Sequence, residues 1–266
     1  MLKTLRQPKP ETAVAKPTST APGTALREKI SGRSGASRVR HAVSMLSVRP
    51  STAPTGTAPT PTRQLENMSI IELCFFVSEI ALAGPVWRGM EREALQALFA
   101  TMTHPSRKVS SAAGRAVVSI APKGDDQVFH EMQVLMAHDI DHVRLSALIA
   151  LTGSAAYENE AVVFATADML RDSNLNIRWR AATALQSLAP KNHPMLLRSI
   201  CLHIARPEAC VRAACYRSLG KVCDANNEVA LSLLRQGLMN DPDMNVRIQA
   251  LEAVVAFTKV TQAALM

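Results

Sequence analysis

The sequence predicts an all-α protein, a right-handed α-solenoid of about five helix-turn-helix units, with a capping helix and a disordered arm ahead of it. Two observations carry that prediction. The first is a phrase that recurs: Val143-Arg144-x-x-Ala147-x-x-Ala150-Leu151, Ile177-Arg178-x-x-Ala181-x-x-Ala184-Leu185, Val211-Arg212-x-x-Cys215-x-x-Ser218-Leu219 and Val246-Arg247-x-x-Ala250-x-x-Ala253-Val254, preceded by an altered copy at Val109-Ser110-x-x-Ala113-x-x-Ala116-Val117. The leading residues are 34, 34, 34 and 35 positions apart, and a fixed period in this range marks stacked helical repeats. The second is a break in composition. Residues 1–65 hold 11 Lys/Arg against two Asp/Glu, eight Pro and no aromatic residue, while residues 66–266 hold 19 Lys/Arg and 20 Asp/Glu.

Taken in order, the elements follow from simple chemistry. A basic, aromatic-free stretch buries too little apolar area to offset chain entropy, so residues 1–65 read as a disordered arm, with Arg49 to Thr62 as Pro/Thr-rich linker. Within it, Val39, Val43 and Leu46 beneath Arg38, Arg40 and Arg49 could form a short helical stripe for an acidic surface, RNA or a membrane face. Ser69 and Glu72 form a capping box that opens a capping helix over 69–84, closed by Gly84-Pro85. That helix is too short and too charged to span a bilayer, and the sequence contains no other candidate span. The solenoid then occupies 66–266, in units of about 86–122, 123–157, 158–190, 191–225 and 226–260.

In each phrase, positions 0, +4, +7 and +8 share one helix face, and the small residues in its middle allow a neighbouring helix to come close. A polar or Pro-bearing stop lies five and four residues ahead: His104-Pro105, His138-Asp139, Asp172-Ser173, Arg206-Pro207 and Asp241-Pro242. Before each stop runs another apolar helix, such as Val128, Phe129, Met132, Leu135 and Met136 in the second unit. Helices this short bury their faces only by stacking on the next unit.

The Asp or Pro in the turn, the Val-Arg pair and the following Ala and Leu resemble the HEAT-repeat family in its shorter variety, over about residues 89–260. Tetratricopeptide repeats share the period but not the motif. The resemblance implies that the recurring Arg bonds a turn Asp of an adjacent unit. Arg144, Arg178, Arg212 and Arg247 then form a structural ladder with Asp172 and Asp241, while His138 and Arg206 at the same turn position cannot serve as carboxylate partners. It also implies that the second helices line the concave side, where Arg115, Trp179, Arg180, Arg217 and Lys221 are the candidate partner-binding residues.

Catalytic chemistry is sparse. No phosphate loop, nucleophile elbow or Ser/His/Asp arrangement occurs. His138-Asp139-Ile140-Asp141-His142 lies in a repeat turn where Asp139 serves as a capping residue, which argues against metal binding, and His130-Glu131 is a single copy of a pair that dinuclear-iron HEAT hydroxylases use repeatedly. No metal site and no cofactor is therefore expected. Cys74, Cys201, Cys210, Cys215 and Cys223 form no Cys-x-x-Cys pair and read as buried thiols in a reducing compartment. Val254, Val255, Phe257, Val260 and Leu265-Met266 leave an apolar C-terminal end suited to self-association.

The function expected is a non-catalytic scaffold or adaptor for protein partners, acidic ones included, in a larger assembly. Two alternatives stand beside it: a lyase or chaperone for a bound prosthetic group, after the bilin lyases that use short HEAT repeats, and a nucleic-acid-associated scaffold acting through residues 1–65. The expected compartment is the cytoplasm, with organelle import by the basic arm as the alternative, although Pro8, Pro10, Pro17 and Pro22 oppose an amphipathic transit helix.

Overall fold

The computed structural model describes residues 91–264 and, ahead of them, the helical residues Leu73, Cys74, Val77, Ser78 and Ala81. The arm over 1–65, the Ser69 capping box and most of the expected capping helix lie outside the described residues. So do the side chains of Val260, Leu265 and Met266.

From residue 91 on, ten α-helices follow one another, and among the described residues there is no strand: α1 (Glu91–Met102), α2 (Arg107–Ile120), α3 (Asp126–Met136), α4 (Asp141–Ser154), α5 (Glu160–Asp168), α6 (Leu175–Leu188), α7 (Pro194–Ile204), α8 (Ala209–Val222), α9 (Glu228–Asn240) and α10 (Met244–Ala264). A 3-10 turn, Met169–Arg171, extends α5. The odd helices are the first and the even helices the second members of five antiparallel pairs, and the pairs stack into an α-solenoid. No helix among the described residues is long and apolar enough to cross a membrane.

The first helices of units 2 to 5 start on a side-chain cap at a fixed register. Asp125, Asn159, His193 and Asn227 accept from the N–H of Val128, Val162, Met195 and Ala230, satisfying a donor that the helix itself cannot. The turns before the second helices are closed differently. His104 Nδ1, His138 Nδ1, Asp172 Oδ1 and Asp241 Oδ1 each accept from the N–H two residues on, at 3.0, 3.1, 2.7 and 2.9 Å. The acceptor before α4 is thus His138 and not Asp139, because the His ring reaches the Ile140 N–H while Ile140 itself provides no side-chain cap.

Each phrase buries the face assigned to it. Val109, Val143, Ile177, Val211 and Val246 lie in one core cluster with Ala113, Ala147, Ala181, Cys215 and Ala250 four residues on, and that cluster runs from Leu73 and Val77 to Phe257. Burying a side chain such as Ile177 or Leu185 stabilises the stack by about 1.5–3 kcal/mol. Small residues bring second helices close, and Gly220 shows how close, since a Cβ there would lie 2.9 Å from Ala253 Cα. Second helices pack on one another at every junction, whereas first helices pack closely on each other only between α5 and α7.

Three of the four loops between units carry a left-handed residue at a constant place: Gly124 at φ 76°, Glu158 at 61° and Asn192 at 62°. Their N–H groups donate to the carbonyls of Ser154, Leu188 and Val222, at the end of the second helix of the same unit. Glycine adopts this φ freely; a glutamate does so at a cost.

Candidate functional site

The recurring arginine has two jobs, and only two of the four arginines do both. In every case Nη1 donates back to two carbonyls of the turn preceding its own helix: Arg144 to His138 and Asp139, Arg178 to Asp172 and Ser173, Arg212 to Arg206 and Pro207, Arg247 to Asp241 and Pro242. In Arg144 and Arg212 the other edge of the guanidinium grips the turn aspartate of the next unit. Arg144 donates to Asp172 from Nε at 2.7 Å and Nη2 at 2.9 Å, and Arg212 to Asp241 at the same two distances. Both are bidentate, charge-assisted pairs with little solvent access. The bond to Asp172 raises the Arg144 pKa, the bond to Asp241 raises that of Arg212, and the Arg212 guanidinium in turn holds the Asp241 carboxyl below the usual carboxylate range.

The ladder that the resemblance implies is therefore corrected for Arg178 and Arg247. Neither pairs with an aspartate carboxylate among the described residues: the turn after Arg178 carries Arg206, and Arg247 bonds the Asp241 and Pro242 carbonyls. Arg178 is only 8 % exposed, and its Nε has no hydrogen-bond partner among the described residues. At the first junction the same position is Ser110, which donates to Ser146 Oγ at 3.1 Å. There His142 Nε2 bonds the His104 carbonyl at 3.2 Å. With His138 on a backbone N–H and His142 on a carbonyl, both rings of the His138 to His142 segment are already engaged.

Two open grooves run along the second-helix layer. One, of about 390 Å³, is lined by Arg115 and Arg180 with Ile149, Thr152 and Thr183 between them. The other, of about 470 Å³, is lined by Leu175, Arg178, Trp179, Cys210, Arg217 and Gln249. Trp179 is 45 % exposed, and the Arg217 guanidinium sits 4.7 Å from its ring centroid while Nη1 donates to Gln249 Oε1 at 3.2 Å. A cation over an indole face is an attraction of about 0.5–2 kcal/mol, and it fixes a long side chain that would otherwise be mobile. The structure thus brings Arg115 to Arg180 and Trp179 to Arg217, and it leaves Lys221, half-buried in α8, outside both grooves.

Sequence reasoning missed two features here. His203 is buried between first helices, with Nε2 3.2 Å from Asp168; burial lowers its pKa and the Asp168 charge opposes that. Neither residue belongs to the repeated phrase, so the period gave no signal. Cys210 is exposed at the rim of the larger groove, a departure from the expectation of buried thiols, because it sits at the second residue of α8 and turns away from the core. Cys215 and Cys223 are buried as expected, with their pKa values pushed up to about 12 by desolvation. At the C-terminus Phe257 is buried, which corrects its place in the apolar end, while Met244, Ile248, Leu251 and Val255 are exposed along α10.

Comparison with known proteins gives a sequence match to HEAT repeats over residues 165–255. No curated protein matches the chain. Among solved structures, a designed armadillo repeat protein in complex with a (KR)4 peptide aligns at 18% identity over 76% of this chain and 100% of its own, with a TM-score of 0.41. An engineered protein aligns at 19% identity over 85% and 99%, also at 0.41. Human deoxyhypusine hydroxylase in complex with glycerol aligns at 13% identity over 89% and 99%, at 0.39. The match at 165–255 spans the second half of the helix-pair stack, from within α5 into α10, and it is over these residues that the chain is similar to HEAT repeats.

Proposed function

We propose that this protein is a non-catalytic scaffold that holds a protein partner along its second-helix layer, with Trp179 and Arg217 at the centre of the contact and Arg180 and Arg115 extending it. The observation that carries this reading is the half-exposed Trp179 ring with the Arg217 guanidinium stacked on it in an open groove. Trp and Arg are the side chains that most often dominate interface energies, and an ordered pair loses little entropy on binding. The tighter packing of the second helices supports placing that layer on the inner side of a curved stack, where a partner meets several units at once. Among the polar groups that could do chemistry, the turn histidines are engaged by backbone groups and the deep thiols are buried.

The test is affinity capture from the source cells with the intact chain and with a Trp179→Ala, Arg180→Glu variant of matched thermal unfolding, the retained proteins being quantified by mass spectrometry. Loss of a hot-spot residue predicts a drop of about thirtyfold or more in the affinity of the retained partner. Undiminished capture by the variant rejects the groove as the binding surface.

A further inference from the structure

At two junctions of the stack a carboxylate is met by the same three donors. Asp172 receives Arg144 Nε, Arg144 Nη2 and the N–H of Asn174; Asp241 receives Arg212 Nε, Arg212 Nη2 and the N–H of Asp243. The junction between units 3 and 4 has an arginine at the same place but no carboxylate at its turn. Arg178 is held by Nη1 on the Asp172 and Ser173 carbonyls, in the manner of Arg144 and Arg212. Its Nε is buried without a partner. The turn residue facing it is Arg206, so the N–H two positions on, that of Glu208, also lacks the side-chain acceptor that His104, His138, Asp172 and Asp241 supply elsewhere.

We infer that this junction is a carboxylate-binding site, filled by an Asp or Glu side chain of an acidic, extended partner segment that lies in the groove beside Trp179. Leaving a guanidinium edge dehydrated and unpaired is costly, so an arriving carboxylate gains both the charge-assisted bonds and relief of that cost. Arg178 lines the same groove as Trp179 and Arg217, and the buried Nε of Arg217 is likewise unpaired. Exposed Arg206 and Arg180 add to the positive field. The acid that also lines the groove, Asp243, accepts from the N–H groups of Asn245 and Val246, both on Oδ1, and makes no ion pair with Arg178 or Arg217. Glu208, at the N-terminus of α8, is exposed and makes no side-chain cap. The inference rests on the groove being the binding surface, and adds which chemistry it selects.

The experiment compares fluorescein-labelled Gly-Ser-Asp repeat peptides with the same peptides carrying Asn for every Asp, binding to the intact chain by fluorescence anisotropy. The expected preference for the Asp peptide is about tenfold or more. Arg206→Asp supplies the turn with its own carboxylate. It should abolish that preference while raising the unfolding midpoint, whereas Arg206→Ala removes the same charge without supplying an acceptor and should keep the preference within about fivefold. Any contribution of residues 1–65 is common to both variants and cancels. Equal binding of the two peptides to the wild type overturns the proposal, as does equal Asp-peptide binding by the two variants. If Trp179→Ala, Arg180→Glu still loses its partner in that case, the groove stands as the binding surface and only the carboxylate assignment falls.

Discussion

Asp241→Asn removes one charge and one acceptor oxygen from the junction between units 4 and 5 while keeping the side-chain shape. In the wild type this carboxylate takes two Arg212 donors at 2.7 and 2.9 Å and the Asp243 N–H at 2.9 Å, and the two side chains are only 6% and 13% exposed. Charge-assisted bonds of this kind contribute about 1.5–3 kcal/mol each. The amide keeps one acceptor but turns a donor toward the guanidinium, while Arg212 keeps its two carbonyl partners, so the expected loss is about 2–3 kcal/mol, below the 3–5 of a fully buried broken pair. Urea unfolding of the intact chain reads it. Because a repeat stack couples only neighbours, faster amide exchange should be confined to α8, α9 and α10. The pH dependence has a fixed sign. Asp241 has a folded pKa below its unfolded value, so its contribution is complete above the unfolded carboxyl value of about 4 and is lost as pH falls through the folded value. The gap between wild type and variant should therefore be constant near neutrality and close in acid. A loss under about 0.5 kcal/mol, the size of an exposed pair, or a gap that persists unchanged in acid, would refute the reasoning.

Two further outcomes follow from the geometry. Glu158 holds φ at 61° without the freedom of glycine, so Glu158→Gly should stabilise by about 0.5–1 kcal/mol in urea unfolding, the relief of backbone strain exceeding the added entropy of the unfolded chain. With a thiol-specific reagent at pH 8, Cys210 should react in the native state, while Cys215 and Cys223, buried and held at about 12, should react only on unfolding.

The phrase Val-Arg-x-x-Ala was legible because helix packing constrains residue size at fixed intervals, and a repeat displays that constraint several times over. The partners of Arg144 and Arg212 came from the resemblance, which implies a bond from the recurring Arg to a turn aspartate, and Asp172 and Asp241 stand at that turn position. What no period announces is a bond whose two ends belong to different classes of position. Trp179 and Arg217 occupy different places within their units and meet only because α6 and α8 pack at a particular rotation. The turn histidines escaped because His104 and His138 stand where Asp stands elsewhere, and an imidazole nitrogen as a stand-in for a carboxylate oxygen shows itself only in the backbone bond it accepts. The left-handed loop residue was present in the sequence as Gly124, Glu158 and Asn192 at the repeat spacing, but a glutamate there conceals the pattern that Gly and Asn would reveal.

The loop bonds from Gly124, Glu158 and Asn192 close within their own units and cross no boundary. A whole unit can accordingly be duplicated or deleted without stranding a backbone group in its neighbours. The ion pairs impose a second condition, because Arg144 to Asp172 and Arg212 to Asp241 do cross boundaries. Together they make the chain modular in steps: a cut at either of those two boundaries breaks a buried ion pair as well as the helix packing.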